Sequence, residues 1–315
     1  MSEYRFDGRV AVVTGAGRGI GRAYARLLGE RGASVVVNDF GSSMEGDGTD
    51  DGPARKVVDE IVAAGGKAVA DTNDVSTVEG ATAIIDTAIA QFGRIDVVVN
   101  NAGIVRYAGM PDVELENVER HLAVHLLGSF NTSKAAFPHM IEQGYGRIIM
   151  TTSTGMLGLP NNLPYATAKA GLVGMTRSMK LAGEPYDIKT NLIAPAAMTR
   201  MAGGDELPDD APAVPGQPYM PSSAVAPMVA FLAHESCPVS GEIYTAGGGR
   251  FARLFVASTE GYVRPEGAPT VEDVANNWAA INDETGYYVP ADLMSWSGSF
   301  LKHQFPQPAD QAASS

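Results

Sequence analysis

Residues 10–21 read VAVVTGAGRGIG, and the fold follows from how that stretch must be built. Val10–Val13 is apolar with no polar alternate, as expected of a strand covered on both faces, and a helical-period segment opens at Ile20. A glycine turn joins them. Gly15 permits the tight bend, Gly19 lets the backbone approach a pyrophosphate, and Gly21 lets the helix pack closely on the strand. The helix N-terminus offers free N–H groups and a partial positive charge to an anion, with Arg18 and Ile20 in the same loop. A glycine triplet alone is common by chance; between a strand and a helix it becomes a dinucleotide-binding signal.

Outward from that turn, apolar runs alternate with helical stretches. The expected strands are Val10–Val13, Ser34–Val37, Ala68–Ala70, Ile95–Val99, Arg147–Thr151, Ile188–Ile193 and Ile243–Thr245. Helices are expected at Ile20–Arg31, Pro53–Ala64, Val78–Phe92, Leu115–Gln143, Pro164–Leu181 and Ser222–Ala233. This pattern is that of an α/β Rossmann domain over residues 5–250, a doubly wound parallel sheet of seven strands. Three segments depart from it. Residues 41–52, GSSMEGDGTDDG, read as a solvated insertion, and the five prolines between 208 and 221 exclude a helix or inner strand from 203–221. Residues 251–302 form a C-terminal extension, packed on the same domain or at a subunit interface. It carries an expected helix Thr270–Ile281 with Thr270 as N-cap, and residues 303–315 read as a disordered tail.

Composition narrows the class of function. The 315 residues hold 45% hydrophobic and 19% charged side chains, ordinary for a globular enzyme-sized chain. Lys and Arg total 23 against 36 Asp and Glu, a net charge of −13 that disfavours nucleic acid and anionic membranes as partners. Cys237 is the single cysteine, which excludes an intrachain disulfide and a thiolate metal cluster. The charged opening MSEYRFDGRV lacks a signal-peptide core, and no apolar run approaches the length of about 18 residues that a membrane span needs. A soluble cytoplasmic protein without a metal is expected.

Asp39 follows the second strand, 18 residues after Gly21, where a carboxylate can bind both adenosine ribose hydroxyls and repel a 2′-phosphate. That favours NAD over NADP, with Arg18 as the residue that could tolerate NADP. Asp74 and Val75 after the third strand, and Asn101, Ala102 and Gly103 after the fourth, fall on the carboxyl edge of the sheet, where such folds bind ligands. In the run Tyr165-Ala-Thr-Ala-Lys169, Tyr165 and Lys169 are four apart and share a helix face. A phenol of pKa near ~10 needs help to work as a base at neutral pH, and an adjacent ammonium stabilises its phenolate. Tyr165 can then exchange a proton with a substrate oxygen while Lys169 holds the cofactor ribose. Upstream, Thr151-Thr152-Ser153-Thr154 supplies a hydroxyl to orient that oxygen.

TGAGRGIG, NNAG, the hydroxyl cluster and YATAK, in this order, resemble the short-chain dehydrogenase/reductase family over about residues 5–250. The resemblance implies a Ser-Tyr-Lys catalytic set and a homodimer or homotetramer. The family's Ser lies 13 residues before its Tyr; here that position is Thr152 and Ser153 is 12 before, so Ser153 is favoured with Thr152 as substitute. His125 occupies the place of a family Asn that relays protons to the catalytic Lys, or else is a core histidine. Pro195 stands in the family's Pro-Gly after the sixth strand. Histidines 121, 139, 234 and 303 are assigned no role. VVVNDFG with its long loop, VHLLGSF, GRIIMTTS and NLIAPAAMTRM narrow the resemblance to the dehydrogenase portion of the type 2 multifunctional enzymes of peroxisomes. That group oxidises (3R)-hydroxyacyl-CoA thioesters and also acts on 17β-hydroxysteroids. The terminal AASS is not a peroxisomal SKL signal.

Met156, Leu157, Leu159 and Leu163, with Met198 and Met201 after the sixth strand, are the expected apolar substrate pocket, and 203–221 its lid. Core packing is the competing reading of these residues. Arg250 and Arg253 are candidate CoA phosphate contacts. Three functions stay open: a hydroxyacyl-CoA dehydrogenase, a free 17β-hydroxysteroid dehydrogenase, and a catalytically silent nucleotide-binding scaffold.

Overall fold

The computed structural model describes residues 3–199 and 219–305. Met201 and nearly all of the 203–221 segment lie outside the described residues, as do residues 306–315 of the expected tail. Residues 3–254 form one unit around a single sheet, and the contact boundary falls after Leu254. Its parallel strands are β1 (Val10–Thr14), β2 (Ser34–Asn38), β3 (Lys67–Asp71), β4 (Val97–Asn100), β5 (Gly146–Thr151), β6 (Ile188–Pro195) and β7 (Ile243–Gly247). The order across the sheet is β3-β2-β1-β4-β5-β6-β7, so the chain reverses direction between β1 and β4. That switch point is where an open α/β sheet leaves a crevice.

The seven expected strands are all present, and an eighth joins them. β8 (Arg250–Leu254) pairs antiparallel with β7 in the register Gly247↔Arg250 to Ile243↔Leu254. It belongs to the sheet, so the extension expected from residue 251 begins after residue 254. Gly247, Gly248 and Gly249 carry positive φ between the two strands, and that glycine run makes the hairpin.

Period-two alternation divides each strand between two cores. Ala11, Val13, Val35, Val37, Val97, Val99 and Ile193 pack under α1 (Gly19–Glu30), α2 (Gly52–Ala63) and α7 (Ala226–Ala233). Val10, Val12, Val36, Val98, Ile148, Met150 and Leu192 face α3 (Val78–Phe92), α5 (Gly128–Gln143) and α6 (Leu163–Gly183). The long expected helix Leu115–Gln143 is interrupted: α4 (Leu115–His121) passes into a π-helical turn, Leu122–Leu127, before α5. Ser222–Ala224 is a 3₁₀ turn preceding α7, which shortens the expected Ser222–Ala233 helix.

Residues 255–305 form the second unit. Thr270 caps α8 (Val271–Asn276) in a capping box with Asp273, as its side chain suggested, but Asn277 breaks the helix before α9 (Trp278–Ile281). α10 (Leu293–Phe300) follows, and Lys302–Gln304 is a 3₁₀ turn, so order persists to the start of the expected tail. None of the described residues 255–305 is buried, and Val271, Leu293, Met294 and Trp278 are between 61% and 80% exposed. Among the described residues, no helix is long and apolar enough to cross a membrane.

Candidate active site

The two loops at the switch point are tied together by Thr14. Its Oγ1 accepts the N–H groups of Asn101 and Ala102 at 3.0 and 3.1 Å, and Asn101 Nδ2 donates to the carbonyls of Thr14 and Gly15 at 3.0 and 3.1 Å. The contact tolerates no side chain at Gly15, whose φ is +63° and where a Cβ would stand 2.8 Å from Ala102 Cα. A Cβ on Gly21 would meet the Gly15 carbonyl oxygen at 2.2 Å, so the expected close packing of helix on strand holds. Asp39 places Oδ2 on the Gly17 N–H and Oδ1 on the Gly41 N–H, both at 2.8 Å.

A cavity of about 480 Å³ opens above these loops. Gly15, Arg18, Gly19, Ile20, Gly21, Asp39, Asp74, Val75, Asn101, Ala102 and Gly103 all line it. Pro195 ends β6 outside that lining, to which Thr199 contributes. The insertion 41–52 is largely exposed, as its composition suggests, and also forms a wall of the cavity through Ser42, Ser43, Met44 and Gly46. Its composition is polar, yet long-range partners hold it: Arg106 and Arg120 both pair with Asp47, at 2.9 and 3.0 Å.

At the other end of the site, Tyr165 and Lys169 share one face of α6, with Lys169 Nζ 5.6 Å from the phenol ring centre. The ammonium is fully buried and donates to Thr151 O at 2.5 Å. Burial lowers its pKa to about 7. Burial also raises the pKa of Tyr165, a hydrogen bond with Ser153 lowers it, and Tyr107 raises it. The expected lowering of the phenol by Lys169 is therefore not what prevails here; desolvation does.

The hydroxyl cluster separates into two roles. Thr152 is buried and gives its proton to the Lys169 carbonyl at 2.8 Å, behind the reacting face. Ser153 caps a 3₁₀ turn, Thr154–Leu157, accepts the Gly155 N–H at 3.0 Å and bonds Tyr165. Ser153 is thus the hydroxyl that meets the phenol, and the shortened spacing to Tyr165 is taken up in the turn that follows.

The π-helical turn carries His125 into the same place. Its ring lies edge-on to Tyr165 with centroids 5.3 Å apart, and its Nε2 stands 2.9 Å from Ile104 O and 3.2 Å from Ile104 N. Nδ1 is buried with no partner among the described residues. Burial, then the charge of Lys169, holds the imidazole pKa well below its usual value, so the ring is neutral. Gly103, in the wall of the cavity, packs on this ring; a Cβ there would fall 2.4 Å from His125 Cε1. His121, assigned no role from the sequence, stacks on His125 at 5.7 Å and 17°, and meets Tyr165 edge-on at 6.4 Å. The spacing of four residues between two histidines on one helix was the available signal.

The expected pocket residues divide. Leu157 and Leu159 are 73% and 58% exposed around the 3₁₀ turn, which removes the core reading for them. Met156 packs partly on the core beside Thr152, its sulfur 3.6 Å from Thr152 Oγ1. Leu163 and Met198 are half-buried. Arg253 is committed to Glu242 at 2.7 Å, while Arg250 is exposed in β8.

The sequence pattern of short chain dehydrogenases matches residues 9–208. A short-chain type dehydrogenase/reductase of Mycobacterium tuberculosis is 42% identical over 281 residues, 88% of this chain and 95% of its own. Peroxisomal multifunctional enzyme type 2 of Drosophila melanogaster is 44% identical over 302 residues, 95% of this chain and 49% of that enzyme. The solved full-length structure of that enzyme matches with a TM-score of 0.76 at 34% identity, over 95% of this chain and 50% of the other. The chain thus spans about half the length of this multifunctional relative. A solved 7α-hydroxysteroid dehydrogenase, complexed with NADH and 7-oxo glycochenodeoxycholic acid, matches with a TM-score of 0.67 at 30% identity over 78% of this chain and 95% of its own. With its glycine turn, NNAG turn and Tyr165–Lys169 pair inside the matched region, this chain belongs to the short-chain dehydrogenase family of oxidoreductases.

Proposed function

We propose that this chain oxidises a (3R)-hydroxyacyl-CoA thioester to the 3-oxoacyl-CoA with NAD as the acceptor. The observation that carries the reading is the convergence of Ser153, Tyr165 and Lys169, joined through His125 and Gly103 to a cavity that the Asp39 carboxylate also lines. The substrate class rests on the likeness to the type 2 multifunctional enzyme. A second reading, oxidation of a free hydroxysteroid, draws support from the 7α-hydroxysteroid dehydrogenase neighbour.

The residues present fit a nicotinamide dinucleotide. The glycine turn leaves Gly19 open, with Thr199 Cγ2 as the nearest atom to an added Cβ at 3.9 Å, so the backbone there can receive a pyrophosphate. Bound NAD would supply the acceptor for the hydrogen and electron pair leaving the carbinol carbon. Ser153 orients the substrate oxygen by its hydroxyl. Tyr165 Oη takes the proton, and Lys169 together with His125, whose ring meets that of Tyr165, completes the buried polar set that holds and passes that proton on. Leu157, Leu159, Leu163 and Met198, with Met156 at its base, supply the apolar side of the substrate site; Met201 extends this set by sequence position.

The extension from residue 255, lacking any buried described residue, would cover its apolar side chains in a homodimer or homotetramer. A cytoplasmic setting agrees with the single, buried, unpaired Cys237, although the multifunctional relatives are named peroxisomal.

Comparing kcat/KM for a (3R)-hydroxyacyl-CoA and a 17β-hydroxysteroid, each with NAD and NADP, tests the reading. The thioester should be preferred by about tenfold or more, a margin that a few pocket contacts supply. Preference for the free steroid would reverse the assignment. Asp39→Ala should shrink the preference for NAD over NADP by roughly 100-fold, since the like-charge clash with a 2′-phosphate goes with the carboxylate. An unchanged ratio would remove Asp39 from cofactor selection.

A further inference from the structure

The three residues after the NNAG turn face two neighbours in alternation. Ile104 presents its N–H and carbonyl to His125 Nε2, and the Arg106 N–H donates to His121 Nε2 at 3.3 Å. Val105, between them, turns its N–H the other way and donates to Met44 O in the 41–52 loop at 2.9 Å. The Arg106 side chain follows it, with Nε on Glu45 O at 2.8 Å and Nη2 on the two Asp47 oxygens at 2.9 and 3.1 Å. Arg120, the sequence neighbour of His121, reaches Asp47 Oδ1 at 3.0 Å and also donates to Gly46 O. Gly46 lies against Ile104; a Cβ there would be 3.0 Å from Ile104 Cγ2.

One carboxylate therefore joins the loop both to the 104–106 segment that bonds the histidines and to the helix that carries them. A single exposed ion pair contributes little, but a carboxylate shared by two guanidiniums, each also bonded to loop carbonyls, restrains the geometry from both sides. The same loop lines the cofactor cavity through Ser42, Ser43, Met44 and Gly46. The position of the loop and the placement of the histidines thus share one set of hydrogen bonds.

We propose that Asp47, Arg106 and Arg120 are positioning residues, which clasp the 41–52 loop over the cofactor cavity and, through Ile104–Arg106, set the plane of the His121–His125 pair beside Tyr165. The inference rests on the dehydrogenase reading in giving that pair a part in the proton transfer. His121 is fixed as the tautomer with its proton on Nδ1, because Nε2 accepts from Arg106 N and Nδ1 stands 2.8 Å from Asn117 O. The groups that face it are His125 on its own helical stretch, Tyr165 and Lys169 from α6, and Arg106 from the loop after β4. Loosening the clasp would free this arrangement without touching Tyr165 or Lys169.

The test uses Asp47→Ala, Asp47→Glu and, as control, Asp51→Ala, whose carboxylate pairs among the described residues with Arg55 one helical turn on. Three quantities are read: NADH affinity by fluorescence, kcat at saturating NAD with whichever substrate class turns over, and the imidazole ¹⁵N spectrum of the cofactor-free protein against pH. Asp47→Ala should lower kcat about tenfold at saturating cofactor, the order of loss from slight misplacement of a reacting constellation by a distant change. It should also move His121 away from its single neutral tautomer and toward ordinary titration. Asp47→Glu should restore most of both, and Asp51→Ala should change neither. Weaker NADH binding with kcat and the imidazole spectrum unchanged would reduce the loop to a cavity wall and overturn the proposal. Should Tyr165→Phe abolish turnover while Asp47→Ala leaves kcat intact, the clasp alone fails; if the parent turns over neither substrate class with NAD, the dehydrogenase reading fails, and the cofactor-free spectrum still judges the clasp.

Discussion

Tyr165→Phe is expected to cut turnover by about a thousandfold while leaving NADH affinity within about twofold, a loss in the range that removal of a positioned acid–base group produces. The substitution keeps the ring, and with it the edge contacts to His125 and His121 and the packing of Lys169. It deletes one atom, the oxygen that bonds Ser153. If that oxygen works only while the substrate proton is in flight, kcat and kcat/KM should fall together and KM should stay put. Stability should hold, because burial already disfavours ionisation of this phenol and Phe adds no buried polar group. Initial rates at saturating substrate, beside a fluorescence titration with NADH, make the measurement. A rate close to the parent's would remove Tyr165 from the catalytic set, whereas absence of turnover in the parent itself would support the silent-scaffold alternative.

What the sequence revealed and what it hid follow from the range of the interactions concerned. The glycine turn was legible because strand, turn and helix are local and each glycine answers a contact within the unit, Gly21 on Gly15 O being the plainest. The inner parallel strands were legible because double burial writes continuous apolar runs, as at Val10–Thr14 and Val97–Asn100. β8 was missed because RFARL is an edge strand with three of its five residues exposed, so no apolar run marks it; the glycines at 247–249 were the hairpin signal instead. The π-helical turn left no trace in residue propensity, and without it the histidines read as one face of an ordinary helix. The place of the 41–52 loop at the cavity was hidden for a related reason. Gly and Asp report local turn chemistry, whereas its place on the cavity depends on Arg106 and Arg120, more than 50 residues away in the chain. Ser153 and Thr152 could be separated only by seeing which hydroxyl the Lys169 carbonyl had already taken.

Lys169→Met should abolish turnover with NAD and, at neutral pH, make the cofactor-free protein more stable. The ammonium is fully buried, and its pKa falls from 10.5 to about 7. Below about pH 7 the group is charged in both folded and unfolded chains, so folding carries the whole cost of its desolvation. Above about pH 10.5 it is neutral in both and that cost is gone; between the two the unfolded chain binds the extra proton, and stability rises with pH. A shift of this size corresponds to on the order of 5 kcal/mol at pH 7 and below. Methionine fills similar space without the charge, and forfeits the hydrogen bond to Thr151 O, which offsets about 1 kcal/mol. The net gain should raise Tm by about 5 °C or more at pH 7, and the advantage should shrink steadily as the pH is taken toward 10. Thermal melts of the parent and Lys169→Met across pH 6 to 10, without cofactor, read it directly. Equal melting temperatures throughout would mean that Lys169 keeps an ordinary pKa in the folded chain, which would remove the desolvated ammonium on which its partnership with Tyr165 depends.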